Sequence, residues 1–426
     1  MIEAPLLGNS RRAGREATIT YSDGAGASIT ARLAPWSLIA AGLVLLAAYP
    51  LARGDGVDRV LAYDARYLHA AGHCLWQGLS PYDLGAFRGC WEAVTGEGLH
   101  SSFVLPPVSF VLALPMGLLP WAEAEVLFDS VQIAACIALA LVLAELAGMG
   151  DSAAPRHRLF AAIWVALALI SHGVIVTIIV GQYVVFTALG IGLLVLGHNR
   201  QSGWRMALGT LLVLWKPHLA LLVLALAWLW GPLALWRWKL GVVAVLAAIA
   251  IALFLFDPAV VTHYQGSMGE HLRNAHTNLA REGALTGLPG VPDLLARAAP
   301  LLVYGLLGAL AAYLLVTVLL VRSVVMQGER YWAVFGAAIV LGVFLVPHKI
   351  YDFAAMAPAI ALLGRMPWRV QVLGGLAFWI VWRPNLAISI GGMAIPLVEM
   401  LNLGILAFGL MFVIVAVLAP ARRRAA

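Results

Sequence analysis

A carboxylate, an isolated lysine and a His-Lys pair stand out in this chain because each interrupts an otherwise apolar stretch. Asp64 lies three positions after Leu61 and four before Leu68. It shares the stripe of Val57, Leu61, Leu68, Ala71 and Leu75, whose spacing predicts an amphipathic helix over 57–78 lying on a membrane surface. A carboxylate held against an apolar body loses hydration. Its proton affinity rises and it becomes suited to general-base work, unless a nearby cation offsets the shift. An ion pair with Arg66, or with a basic residue across the loop, is the plainer alternative. Lys216 separates LGTLLVLW from HLALLVLALAWLW, and Pro217 predicts two helices broken at that point. A lysine at membrane depth costs roughly 2.5–3.5 kcal/mol. It calls for an anionic partner, or it snorkels to the outer headgroups. His348, Lys349 and Asp352 follow Pro347 at another junction, and the segment 257–298 adds His263, His271, Arg273, His276 and Arg281. Several cations around one cavity suit a phosphate or pyrophosphate. A solvated loop explains the same residues without a ligand.

Metal chemistry has less support. His69 and His73 are four apart, but neither HExxH nor Asp-x-Asp accompanies them, so a surface helix face explains the pair and no metal is expected. Cys74 and Cys90 both fall in the first outer loop, where a disulfide and two thiols are equally open. Cys136 lies within an apolar run and is assigned to packing.

The elements that must hold these residues are membrane helices. Of 426 residues 62% are hydrophobic and 11% charged, where an ordinary globular domain has roughly 25% charged. The chain therefore reads as an all-α polytopic membrane protein. Its net charge of +6 reflects the inner-side bias of Lys and Arg, not a nucleic-acid partner. Residues 1–33 read as a disordered cytoplasmic tail, 34–420 as a single transmembrane domain and 421–426 as a basic cytoplasmic tail. About 20 apolar residues cross the hydrocarbon, fewer where a helix is broken or ends at a cavity. Twelve spans are predicted on that rule, near 34–52, 122–148, 158–180, 182–197, 204–216, 218–236, 239–256, 299–321, 331–346, 351–364, 370–384 and 395–419. The run 103–120 carries Pro106, Pro107, Pro115 and Pro120, and is read as a re-entrant hairpin of the outer side.

Charge supports that count. With the N-terminus inside, the inner segments hold Arg11, Arg12, Arg15, Arg32, Arg156, Arg158, Arg200, Arg205, Arg237, Lys239, Arg322, Arg330, Arg365, Arg369 and Arg422 to Arg424, which is 17 of the 27 basic residues. The outer side then receives two long loops, about 53–102 and 257–298. It also receives three short junctions: Gly181-Gln182-Tyr183, Lys216-Pro217-His218 and 347–352. Long outer loops beside short inner turns place the chemistry outside the cytoplasm.

The order of these pieces resembles glycosyltransferase family 87, the polyprenyl-phosphate-mannose-dependent mannosyltransferases of the GT-C class. Asp64, Gly78 and Tyr82, within YDARYLHAAGHCLWQGLSPYD, have the spacing of the family's first outer loop. FVLPPVSFVLALPMGLLP looks like its Phe-x-x-Pro-Pro block. GQYVVFTALGIGLLVLG looks like its Gly-Gln/Asn segment, LGTLLVLWKPHLALLVL like its Lys-Pro segment, and VPHKIYDFAAMAP like its Tyr-Asp block. Together they cover roughly 60–360. The chain departs from the pattern at Leu68, where the family often has Tyr, and at Leu105, where an aromatic is common.

The resemblance implies a GT-C-type bundle of about 12 helices and inverting transfer of a sugar, most simply mannose. The donor would be a polyprenyl phosphate and the acceptor a glycolipid or glycan, on the periplasmic side of a bacterial plasma membrane, with no cofactor or metal. It implies Asp64 as catalytic base and Lys216, His348, Lys349 and Arg273 around the donor phosphate. Tyr67, Tyr82, Gln182, His218 and Asp352 are expected to bind substrate. No nucleotide-binding Gly-rich loop is present, which agrees with a lipid donor. A secondary transporter or lipid flippase is the rival class, disfavoured by the long outer loops and by halves that show no evident repeat. A non-catalytic subunit of envelope assembly would share the fold and lose the base, and Asp64 argues against it.

Overall fold

Apolar runs broken by glycine and proline set the helices. The structure, a computed structural model, describes residues 29–52, 63–99, 101–150, 154–230, 236–281, 328–344, 350–382, 389–390, 393–394 and 397–418. Helices run as α1 Ile29–Ala52, α2 Tyr63–Trp76, α3 Leu84–Thr95, α4 Phe110–Met116, α5 Trp121–Leu146, α6 Pro155–Leu169, α7 His172–Ile179 and α8 Val184–Asn199. They continue as α9 Gly203–Val213, α10 Pro217–Trp230, α11 Trp236–Phe256 and α12 Val260–Arg281. Next come α13 Glu329–Phe344, a 3-10 segment Ile350–Met356, α14 Ala357–Leu362, α15 Trp368–Trp382 and α16 Leu397–Leu418. The other regular element among the described residues that is not helical is a small hairpin, Ser389–Ile390 paired antiparallel with Met393–Ala394.

Among the described residues α5 and α11 are each long and apolar enough to cross a membrane, and α6 with α7, bent by 41° at their break, makes a third candidate. The described residues are thus predominantly helical, with apolar spans that fit a membrane protein. Helices fall where apolar runs predicted them, but several are short: α9 has 11 residues, about 16 Å at 1.5 Å per residue. The segment 351–364 is not one α-helix either. It begins as a 3-10 turn before the six-residue α14. The tail boundary also shifts, since α1 starts at Ile29, before the predicted residue 34. The predicted span 299–321 lies outside the described residues.

The middle of the bundle is α8, buried along its whole length from Val184 to Gly197. It approaches α9 through two glycines. A Cβ on Gly190 would sit 2.8 Å from the Gly209 oxygen, and one on Gly209 would sit 2.9 Å from the Gly190 oxygen. Small residues permit this backbone approach, which dispersion then rewards where lipid offers no hydrophobic drive. By contrast α11 buries only Val242 among its described side chains, and exposes Trp236, Trp238, Phe254 and Leu255. That is a lipid-facing surface. At the predicted inner end Arg200 and Arg205 both reach Glu145 at 2.6 Å, while Arg365 donates to the carbonyls of Leu146 (2.5 Å) and Glu145 (2.9 Å), closing the C-terminus of α5.

A layer of α2, α3, α4 and α12 covers the other functional end. A disulfide joins Cys74 of α2 to Cys90 of α3, with Cα atoms 5.6 Å apart. The proline-rich run yields a 3-10 turn, Pro107–Ser109, that continues into the seven-residue α4, and the two together are too short to cross. It carries α2 by backbone contact: a Cβ on Gly72 would lie 1.8 Å from the Ala113 oxygen, and one on Gly117 would lie 2.1 Å from the Gly72 carbonyl carbon. Trp76 Nε1 donates to Leu114 O at 2.8 Å, and His69 Nε2 donates to Leu119 O at 2.9 Å. His69 is therefore buried against the proline-rich run, correcting its assignment to a surface face, and burial pulls its pKa below the usual value. The segment 257–298, expected as a loop, begins instead with the 22-residue α12.

Candidate active site

Four separate stretches meet at one place. Asp64 is the second residue of α2, in the first helical turn, where the dipole favours a negative charge. Its backbone N–H donates to Val180 O at 3.0 Å, pinning the start of α2 to the end of α7. There Gly181, at φ +69°, turns the chain after α7, a left-handed position that glycine adopts without a Cβ clash. The turn is closed by Gln182 N–H donating to Thr177 O at 2.8 Å. Gln182 is thereby aimed at α2, and its Nε2 donates to Asp64 Oδ2. The donor must be nitrogen because a carboxylate only accepts.

Lys216 occupies the break between α9 and α10, with Pro217 as the first residue of α10, where its missing N–H costs nothing. The side chain of Lys216 is only 11% exposed. Its Nζ lies 2.7 Å from Oδ1 of Asp352, which is 5% exposed, on the 3-10 segment. The same ammonium sits 4.4 Å from the Tyr351 ring centre and 5.5 Å from that of Tyr183, within the range of cation–π attraction. The carboxylates of Asp64 and Asp352 both act electrostatically on the Tyr183 and Tyr351 phenols. The 3-10 segment reaches this position because Gly173 of α7 admits it: a Cβ there would be 2.6 Å from Ala354 N. Thr177 Oγ1 then donates to Tyr351 O at 3.0 Å.

The site therefore unites Asp64, Gln182, Lys216 and Asp352 of the expected residues, and adds the rings of Tyr183 and Tyr351. The anion that Lys216 required is Asp352, whose carboxylate is buried against the lysine. Tyr82 lies in the layer of α2, α3, α4 and α12. It is 1% exposed, its hydroxyl donates to Leu105 O at 2.7 Å, and its ring meets Phe103, Phe110 and Tyr264. It ties that layer together. Tyr67 is half-buried, its ring 4.6 Å from Trp91 and 6.0 Å from Phe87. His218 is exposed at the start of α10. Arg273 lies on α12, its side chain outside what is described, and His348 and Lys349 lie outside the described residues.

Sequence reasoning missed Gln132, which is 2% exposed on α5 and donates through Nε2 to Gln182 O at 2.7 Å and to Thr177 O at 3.4 Å. The signal was there: an amide in the middle of an apolar span needs partners. A second polar cluster lies in the layer of α2, α3, α4 and α12. His263 Nδ1 is 2.8 Å from Asp257 and its Nε2 3.6 Å from Asp83. Burial works against ionisation of Asp257, but hydrogen bonds from Ser80 and His263, the charge of His263 and the Ala259 N–H together hold its pKa below the usual carboxylate value. No group of three or more metal-ligating side chains occurs among the described residues.

A half-buried carboxylate held by an amide, in one site with a lysine at the break between two helices, can accept a proton and attract an anion. No curated protein and no solved structure matches the chain significantly. A family model does, over residues 103–347, which include Gln182, Tyr183 and Lys216 and are flanked by Asp64, Tyr351 and Asp352. That match spans more than half of the chain, and the protein belongs to glycosyltransferase family 87.

Proposed function

We propose that this glycosyltransferase moves a sugar, with mannose the first candidate, from a polyprenyl-phosphate donor to a glycolipid or glycan on the periplasmic face of a bacterial plasma membrane. The observation that carries the reading is the convergence of Asp64, Gln182, Tyr183, Lys216, Tyr351 and Asp352 from four distant stretches. Asp64 takes the proton of the acceptor hydroxyl as that oxygen attacks the anomeric carbon. The bond from that carbon to the phosphate oxygen breaks, its electron pair leaves with the polyprenyl phosphate, and the configuration inverts.

Lys216 stabilises the charge that develops on the leaving phosphate, a contribution that comparable donors make at about 2.7–4 kcal/mol. An ammonium has three N–H donors, so the contact with Asp352 leaves it able to meet a phosphate. Asp352 in this reading keeps Lys216 charged and in place. His348, Lys349 and Arg273 add positive charge, and Tyr67 and His218 contribute walls. Gln182 Oε1 is buried and has no hydrogen-bond partner among the described residues, and it offers an acceptor to a substrate hydroxyl. The Cys74–Cys90 disulfide supports an oxidising, outer compartment for α2. The twelve-span arrangement, with 103–120 dipping in from that side, is part of the same reading.

The test is transfer of radiolabel from polyprenyl-phosphate-[14C]mannose to extracted lipids and glycans by membranes holding wild type or Asp64→Asn. Label moved by the wild type alone is expected. Near-normal transfer by Asp64→Asn would remove it from the base role. Silence from both proteins, together with flux of labelled substrate in proteoliposomes, would favour a transporter.

A further inference from the structure

We infer that Gln182 is a positioning residue for Asp64, held in register by Gln132, and that this relay keeps the carboxylate ionised and oriented for proton abstraction. The inference rests on Asp64 as the base. Three contacts carry it. Gln182 donates from Nε2 to Asp64 Oδ2, its own carbonyl accepts from Gln132 Nε2 at 2.7 Å, and the Asp64 N–H is bound to Val180 O at 3.0 Å. Gln182 is 4% exposed and Gln132 2%, so both amides are placed by the protein and not by bulk water. The base is thus fixed from both ends, by its backbone and by its carboxylate.

The chemistry needs such a device. Burial alone raises the pKa of a carboxylate, and an N–H donated to the charged form lowers it. A base that is protonated before substrate arrives cannot accept the acceptor proton. Glutamine donates to the carboxylate without a charge of its own, while Lys216, the cation of the same site, is paired with Asp352. Gln132 does not touch the carboxylate. Its contacts to Gln182 O and Thr177 O instead fix the turn at Gly181 from which Gln182 projects. Thr177 in turn holds Tyr351 O, so the same relay reaches the stretch that carries Asp352.

The experiment measures protonation of Asp64 without any sugar donor. Purified full-length protein in detergent is treated with N,N′-dicyclohexylcarbodiimide, which labels protonated carboxyls, across a pH series, and labelling at Asp64 is read by mass spectrometry. Gln182→Leu should raise the midpoint by about one unit, the scale of a lost hydrogen bond to the ionised form. Gln132→Leu, which leaves Asp64 untouched, should move it the same way by less, and it serves as the readout if Gln182→Leu fails to fold. A merely structural glutamine would leave both midpoints in place, and that result overturns the inference. Where membranes transfer label from polyprenyl-phosphate-[14C]mannose, the acid limb of the rate profile should shift with the labelling midpoint. Shifted midpoints with no transfer by wild type would uphold the relay and remove the proposed reaction.

Discussion

The pair of Lys216 with Asp352 allows a quantitative test. At 2.7 Å and an effective dielectric of about 20, the attraction is about 6 kcal/mol before desolvation is subtracted. With side chains 11% and 5% exposed, removing one partner strands a charge that solvent barely reaches. Asp352→Leu and Lys216→Met should therefore each destabilise by about 3–5 kcal/mol. The double variant loses both charges at once, so it should lie within about 2 kcal/mol of wild type, or above it, since apolar replacement of a buried pair is often neutral or stabilising. Equilibrium unfolding of detergent-solubilised protein by sodium dodecyl sulfate, followed by far-ultraviolet circular dichroism, gives all four corners of the cycle. A double variant as unstable as the sum of the singles would refute the reasoning. It would mean that the two side chains stabilise the fold through separate contacts, and Lys216 would return to lipid headgroups.

Two further expectations concern the outer layer. Cys74→Ala with Cys90→Ala, or reduction of the wild type, should lower stability by about 3 kcal/mol, the entropy of a loop of this size closed between residues 16 apart; the same unfolding assay with and without reductant reads it. His69 should make stability fall on mild acidification. Burial depresses its folded pKa, so below the unfolded value of about 6.5 the unfolded chain binds a proton that the folded chain does not. Stability drops as pH falls through that region, and His69→Gln, compared at pH 7.5 and 5.5, should show a flatter dependence.

Helix positions were legible wherever an apolar run was long. The run predicted at 239–256 is α11, Trp236–Phe256, and 122–148 is α5, Trp121–Leu146. The breaks at Gly181 and Lys216 were legible too, because glycine and proline cannot continue a helix there. What the sequence hid was pairing across distance. Lys216 and Asp352 are 136 positions apart, and no local pattern says that one charge neutralises the other. Tyr82 matched a motif spacing, but spacing does not reveal that its hydroxyl turns inward to Leu105. The helix α12 escaped notice because its packed face is polar and small. Tyr264, Ser267 and His271 recur at helical intervals, and Ser267 Oγ donates to Tyr82 O at 2.9 Å while its own carbonyl accepts from Ser102 Oγ at 2.6 Å. A hydropathy reading passes over such a face.

The contact between Gly72 and Gly117 has a consequence for how this enzyme could change its substrates. Backbone meets backbone there, with no side chain between that could be lengthened, shortened or swung aside. The wall that bears Asp64 is therefore a fixed reference point, and every single substitution at those two positions adds atoms where none fit. On the proposed function, a change of acceptor would fall on exposed surfaces, such as the start of α10 at His218. In the proposed reaction Asp64 would stay where it is while surfaces away from that contact are rewritten.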